Sequence, residues 1–477
     1  MNHKSNSYFE EEYTKQIAPL YGNIRNNVHD STLLQQNSNI IPHDYSILNR
    51  ENYTDKITYS IDPDGCEDAD DAFSIYYDSN NRLYLAIHIA DPTEEININS
   101  PLWRDIVDRV ITRYPSNNKP IHLMPKVIVD KSSLMENKYG NEKNAITVLT
   151  EINVHTYEPC GNIKLLFTKV SVKKSNAFTY KNACDICETD SILITGLKIS
   201  DALIKMRAKT TLGVKLNEIN PSYIDYSDVN CAKLINVDQT ELSIKHMIAE
   251  FAIFANTFVG EYLKIHMEEG GIFRACNAQE WLSTMVDNIS GEELLNSIIV
   301  NGIQAEYIRE NASHDLVGKN EYSHFTSPIR RLSDCISHYL LKYIHLKQNK
   351  RKLRTPFTKI ELDELSEKCL SITKNIKKVQ YRDTKFRLIQ VMNNMLLYEK
   401  QIYNTFFITS YKSPFLNLII CKIGDTKVHM SYTIRMKKFI HDDDDKTKHT
   451  LLITVVNCLG KFDAGSIPEL DKYITTL

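Results

Sequence analysis

From Ile57 onward, apolar and polar positions alternate in the short runs ITYSI, AFSIYY and LYLAIHIA, which are separated by the turn formers PDG and DSNN. Alternation over about 4 to 8 residues puts every second side chain on one face, so this segment predicts a strand meander. Further strands are predicted at Ala145 to Val154 and Ile163 to Val172, whereas the apolar spacing from Ile244 to Ile265 and from Ser327 to Leu346 is helical. After about Phe406 the alternation returns in FFITSY, LNLIICKI, KVHMSY and LLITVVN, with a Gly424-Asp425 turn. That stretch of about 70 residues has the size of a small barrel. Residues 1–42 are polar and weakly periodic, and no repeat is visible along the chain. The pattern therefore predicts an α+β protein in three parts: 1–42 as a polar tail or small irregular subdomain, 43–405 as the main mixed unit, and 406–477 as a small β-rich domain.

Composition sharpens this picture. At 477 residues the chain is long enough for roughly three units of about 150 residues each. With 42% hydrophobic residues and only 15 Gly and 14 Pro, collagen-like and low-complexity classes are excluded. Lys and Arg number 57 against 60 Asp and Glu, so any nucleic-acid contact must use a local groove and not a global basic field. Ten cysteines are too sparse for a disulfide scaffold, and MNHKSNSYFEEEY lacks a signal-peptide core. The longest apolar stretch, Ile248 to Val259, is interrupted by Glu250 and Asn256 and falls short of the ~20 residues of a membrane span. A reducing, cytoplasmic setting without a membrane anchor is expected.

The strongest chemical feature is SIDPDGCEDADDAFSI, where Asp62, Asp64, Glu67, Asp68, Asp70 and Asp71 crowd one turn between two apolar runs. Like charges this close raise one another's pKa unless cations or solvent intervene. Oxygen ligands with no nearby Cys or His suit Mg²⁺, or Mn²⁺, better than zinc. In an extended segment Asp71 would point away from Asp68 and Asp70, so convergence needs a curled backbone, which Pro63 and Gly65 permit. A calcium loop starting at Asp62 fails, because Phe73 stands where the bidentate Glu is required. The plain alternative is a solvated acidic loop.

A second feature is HFTSPIRRLSDCISHYLLKYIH, read as a helix capped by Ser327 with Pro328 at its first position. Arg330 and Arg331 then fall in the first turn, where the macrodipole favours acids, so they call for an anion. Either a substrate phosphate or a salt bridge to the acidic turn would answer. Asp334 and His338, one turn apart, read as an orienting pair. Glu250 lies in a helix that is apolar on nearly every face, where His246 could partner it or the carboxylate could meet a ligand. The tracts Lys347 to Arg354 and Lys374 to Arg387 are solvated faces or a local track for a phosphate backbone. Cys184 and Cys187 form a lone CxxC, the run Asp442 to Asp445 reads as a solvated loop, and no Walker loop, GxGxxG or GxSxG is present.

IDPDGCEDADDA and HFTSPIRRLSD together resemble the two signatures of the ribonuclease II (RNB) exoribonucleases, and IHIADP, YPSNNKPIHLMP, FTYKNA and AEFAIFAN resemble further family segments in the same order, over roughly residues 40–400. The resemblance implies an RNB-type catalytic domain of β-sheets packed with helices around an RNA channel, followed by an OB-like domain. It places metal-site aspartates on Asp62, Asp68, Asp70 and Asp71 and the catalytic arginine on Arg330, with Arg331 beside it facing substrate. Tyr114 matches a tyrosine contacting the RNA end, Glu250 a glutamate beside the terminal ribose, and Tyr180 a channel aromatic. The implied activity is Mg²⁺-dependent, two-metal hydrolysis of single-stranded RNA from its 3′ end, releasing 5′-monophosphates. Several positions depart from the family pattern: the region before residue 50 is too short for a cold-shock barrel, Ser132 stands where Cys is usual, Cys276 replaces an expected His, and Tyr339 replaces an Arg. A non-catalytic RNA-binding or scaffold protein is the alternative, a DNA nuclease the third reading, and a protein partner for RNA recruitment an open expectation.

Overall fold

The computed structural model describes residues 6–40, 48–116, 119–219, 222–225, 233–283, 289–349 and 352–399, then the strand segments 404–409, 415–423, 426–435 and 450–453. Two helices open the chain, α1 (Asn6–Gln16) and α2 (Asn27–Ser38). Strands β1 (Glu51–Asn52) and β2 (Ser60–Asp62) lead into a hairpin of β3 (Asp71–Tyr77) and β4 (Leu83–Ala90). Helices α3 (Pro101–Arg109) and α4 (Lys126–Ser132) precede the long pair β5 (Glu142–Ile152) and β6 (Pro159–Ser171). Next come β7 (Ala177–Thr179), α5 (Tyr180–Ile186), α6 (Ser191–Ala208), β8 (Ser222–Asp225), β9 (Lys233–Asn236) and α7 (Gln239–His266). Strand β10 (Phe273–Ala275), α8 (Gln279–Leu282), α9 (Gly291–Val300) and β11 (Glu306–Ile308) separate α7 from α10 (Leu332–Gln348) and α11 (Lys359–Glu399). Strands β12 (Asn404–Thr409), β13 (Phe415–Ile423), β14 (Thr426–Arg435) and β15 (Thr450–Ile453) complete the order.

The central sheet runs β1-β6-β5-β4-β3 and is antiparallel except at the β1–β6 edge. Its central strands are buried on both faces, β4 at seven of its eight positions, so the expected alternation of buried and exposed side chains is not seen there, and Ser74, His88, Thr147 and Thr168 lie inside with Val, Ile, Leu, Phe and Ala. Helix α7 packs into the same core through Ile244, Met247, Phe251, Ala255, Val259 and Leu263. Length and apolarity alone would let α7 cross a bilayer. Here these side chains are buried inside the protein, as in the core helix of a globular domain. The C-terminal strands form an antiparallel sheet in the order β14-β13-β12-β15, matching the four expected alternating runs. The Gly424-Asp425 turn and the Asp442 to Asp445 run lie outside the described residues.

The polar stretch 1–42 contains α1 and α2, not an irregular tail. Phe9, Tyr13, Ile17 and Tyr21 form a second small core with Ile121 and Phe386. Their spacing of four is the signal that the surrounding polar residues masked.

Several polar groups inside the main core are paired. His88 on β4 lies between Ser74 Oγ at 3.1 Å and Thr147 Oγ1 at 2.8 Å, and burial holds its imidazole down to about 3. The unfolded chain therefore binds this proton more readily, and His88 stabilises the fold above about pH 6.5 but loses that contribution as pH falls toward 3. One such group contributes at most about 1.4 kcal/mol per pH unit. Urea midpoints measured at pH 7.5 and pH 5 should differ, and His88→Gln should narrow the gap. An unchanged gap would remove His88 as the cause.

Candidate active site

The acidic turn is built by the sheet itself. Asp62 ends β2, whose parallel partner β7 sets Asp62 opposite Thr179 and so next to Tyr180, the first residue of α5. The chain then reverses at Pro63 to Gly65, where Gly65 takes φ +77°, a left-handed backbone that a side chain would strain. The backbone thus curls upstream of Asp68, as convergence of the aspartates would need. Residues 69 and 70 are pinned from both sides: the Ala69 N–H donates to Ser133 Oγ (3.0 Å), the Leu134 N–H to the Ala69 carbonyl (3.1 Å), and the Ala90 N–H to the Asp70 carbonyl (2.8 Å). Asp71 opens β3 opposite Ile89.

Asp70 is buried, and its carboxylate accepts from the Ile329 N–H at 2.8 Å and from Arg330 Nε at 3.0 Å. Arg330 Nη2 donates to Ser327 Oγ at 2.7 Å, leaving Nη1 without a bond among the described residues on a side chain that is 48% exposed. The guanidinium is thus oriented by two fixed acceptors and open at its third nitrogen. Burial first, then the charges of Asp71, Asp70 and Asp68, lift the Asp62 carboxyl to about 8. Burial lifts Asp70 to about 7 and Asp71 to about 6 against the lowering pull of Arg330.

The helical reading of residues 327–331 needs correction. Helix α10 starts at Leu332 with Arg331 at its cap, and Ser327–Arg331 forms a separate turn ahead of it. Asp334 is the reason: its Oδ1 accepts from the Ser327 N–H and from Arg331 Nη2, each at 2.8 Å. The acid favoured by the dipole is therefore present in the first turn, and Arg331 serves as its partner. His338 does not pair with Asp334. Its Nε2 lies 3.1 Å from the Phe325 carbonyl and its Nδ1 3.6 Å from Asp91. Asp91 belongs to a buried ion cluster in which Arg50 and Lys342 each bridge Asp91 and Glu94 at 2.6 to 3.0 Å.

Glu250 is 2% exposed on α7, and Arg207 of α6 grips it with two bonds, Nε to Oε2 at 2.9 Å and Nη2 to Oε1 at 2.5 Å. The partner is Arg207 and not His246, with one bond on each carboxylate oxygen. Arg207→Met would leave Glu250 unpaired in the core and should lower stability by about 1–3 kcal/mol, read as a shift in the denaturation midpoint.

Tyr114 is half exposed on the loop after α3, with its phenol pushed up to about 12 by desolvation first, against the lowering pull of Arg330 and with a further push from Asp70. Tyr180 is raised as well, by burial and then by Asp71 and Asp62, and Lys245 Nζ sits 5.2 Å from its ring centre. Two aromatic side chains thus share the field of the acidic turn. Glu67 is drawn outward to Lys126 at 3.2 Å.

Among the described residues no three Asp, Glu, His or Cys side chains are already drawn together as a metal cage. The donor set nevertheless fits a hard divalent ion: oxygen ligands only, carboxyls that burial and mutual repulsion keep from ionising freely, and Asp62 Oδ2 buried without any hydrogen-bond partner.

Comparison with known proteins gives a consistent picture. The model of the RNB domain matches residues 50–347. Ribonuclease R 1 of Lactococcus lactis is 23% identical over 340 residues, which is 62% of this chain and 40% of that protein. Exosome complex exonuclease dis3 of Schizosaccharomyces pombe is 24% identical over 334 residues, or 61% and 34% of the two chains. This chain thus matches less than half the length of these relatives. Mycoplasma genitalium RNase R, solved in complex with ribose-methylated single-stranded RNA, superimposes with a TM-score of 0.64 at 17% identity, covering 95% of this chain and 72% of that one. Yeast Ssd1, described as a pseudonuclease, superimposes with a TM-score of 0.61 at 17% identity, covering 83% and 53%.

Proposed function

Because this chain belongs to the RNB-domain family, whose model spans residues 50–347, we propose that it is a hydrolytic 3′→5′ exoribonuclease that removes 5′-monophosphates from single-stranded RNA. The observation that carries this reading is the Asp70–Arg330 pair, set beside Asp62 and Asp71 with one guanidinium nitrogen open. Asp62, Asp68, Asp70 and Asp71 would hold Mg²⁺ or Mn²⁺, which when bound supplies Lewis-acid activation of water and neutralises phosphate charge. Arg330 presents its free Nη1 to a non-bridging oxygen of the scissile phosphate while Ser327 and Asp70 keep the group from swinging away. Tyr114 and Tyr180 offer ring faces to the terminal bases, a grip that tolerates any sequence. A cytoplasmic setting and a recruiting protein partner belong to the same proposal.

The fold is also shared with a protein described as a pseudonuclease, so architecture alone does not separate an enzyme from an RNA-binding scaffold. A time course on 5′-labelled single-stranded RNA with Mg²⁺, EDTA and a matched DNA strand does. A metal-dependent ladder shortening from the 3′ end is the expected result. Tight RNA binding with no product would establish the scaffold instead, and equal loss of DNA would overturn the RNA preference.

A further inference from the structure

One carboxylate far from the acidic turn controls the loop that carries Tyr114. Asp383, 2% exposed on α11, accepts at Oδ2 from the Tyr13 hydroxyl (3.0 Å), the Tyr21 hydroxyl (2.7 Å) and the Ser116 N–H (2.9 Å), and at Oδ1 from the Ser116 hydroxyl. Arg387, one turn along α11, donates through Nε to Ser116 Oγ at 2.9 Å and lies over the Tyr13 ring at 4.7 Å. Three remote pieces of chain, α1, the turn after it and the Tyr114 loop, therefore meet at one acceptor.

The same loop is held at its other points. Arg113 and Ile121 exchange backbone bonds at 3.0 and 2.8 Å and close it. Arg25 donates to the carbonyls of His122 (2.9 Å) and Leu123 (2.5 Å), and Arg113 donates to the Tyr21 carbonyl. At its base, the Thr112 N–H donates to the carbonyl of Arg330 at 3.0 Å. Tyr114 is thus slung between the backbone of the proposed catalytic arginine and the Asp383 carboxylate two residues on. Among the described residues no hydrogen bond is seen from its own side chain, so its placement depends on the loop.

We propose that Asp383 is a positioning residue: through Ser116 it fixes the loop that presents Tyr114 to the RNA end, with the N-terminal helices as the brace. This rests on the site reading given above. An aspartate accepts on both oxygens with a full charge, whereas an asparagine accepts on one and presents an NH₂ at the other, so Asp383→Asn loses the charged acceptor of the Ser116 hydroxyl and weakens the bonds that remain. On single-stranded RNA, Asp383→Asn should raise KM about tenfold with kcat within about twofold, and Tyr114→Ala should do the same. Combining the two should add little beyond either alone, because both act through one loop. A residue that merely supports folding would lower the active fraction, and hence apparent kcat, without moving KM. An unchanged KM, or full additivity with Tyr114→Ala, overturns the proposal.

Should Asp383→Asn fold poorly, the pair Tyr13→Phe and Tyr21→Phe removes two donors while keeping both rings. It should give a smaller KM rise, about two- to threefold, in a protein of near-normal stability; no rise would count against the brace. Amide hydrogen exchange separates this idea from the nuclease reading. Residues 112–116 and 119–122 should exchange faster in Asp383→Asn than in the parent, with α10 unchanged, whether or not the parent cleaves RNA. A parent without cleavage removes the nuclease reading; unaltered exchange removes the brace.

Discussion

Asp70→Asn should abolish shortening of single-stranded RNA while leaving RNA binding within about threefold, since of the groups proposed to hold the strand it disturbs Arg330 alone. The argument comes from the two oxygens of this carboxylate. Oδ1 takes the Ile329 N–H and Oδ2 takes Arg330 Nε. An amide keeps the first bond, so the turn ahead of α10 stays folded. Its NH₂ then faces the guanidinium, donor against donor, and the site loses both an anionic oxygen and the anchor that orients Arg330. Electrophoresis of 5′-labelled RNA, paired with fluorescence anisotropy on the same strand, reads the two quantities separately. Retained cleavage would remove Asp70 from the chemistry, and parallel loss of binding would show that it acts on the fold.

Arg330→Ala should lower turnover by about 10²- to 10³-fold, the size of effect expected when a preorganised transition-state donor is lost, with a smaller change in KM. Lysine should not restore it. A single ammonium cannot bond Asp70 and Ser327 and still present a third nitrogen, which the forked guanidinium does. Single-turnover rates on a short labelled strand test this directly. Equal rates for the alanine and parent proteins would reduce Arg330 to a structural partner of Asp70.

These expectations trace to residues that the chain places close together in sequence. Asp62 to Asp71 and Ser327 to Asp334 are local clusters, and their alternating or helical surroundings announce the strands and helix that carry them. The turn before α10 was less legible. Asp334 folds residues 327–331 back on the helix start by accepting two donors, and such a local bond competes with helix formation in a way that spacing does not record. Long-range pairings left no trace at all. Glu250 finds Arg207 from a different helix, Lys342 meets Asp91 and Glu94 across the fold, and Tyr13 meets Asp383 370 residues away. Each partner becomes meaningful only once packing has removed both from water. Helix α1 and the turn after it show the same limit from the apolar side: four well-spaced side chains among many polar ones are too few to stand out until Ile121 and Phe386 cover them.

The brace also has a bearing on how the molecule is made. All four aspartates lie within the first 71 residues and Arg330 follows at position 330, yet Asp383 comes in the second half of α11. On a ribosome, where folding proceeds from the N-terminus as the chain emerges, Tyr13, Tyr21 and Ser116 would wait for their common acceptor until α11 had left the exit tunnel. A chain released early, just after α10, would hold every proposed acidic ligand and the arginine while its Tyr114 loop lacked the tie from Ser116 to Asp383. If Asp383 is the brace proposed above, synthesis through α11 separates the folding of the acidic turn from the fixing of the Tyr114 loop.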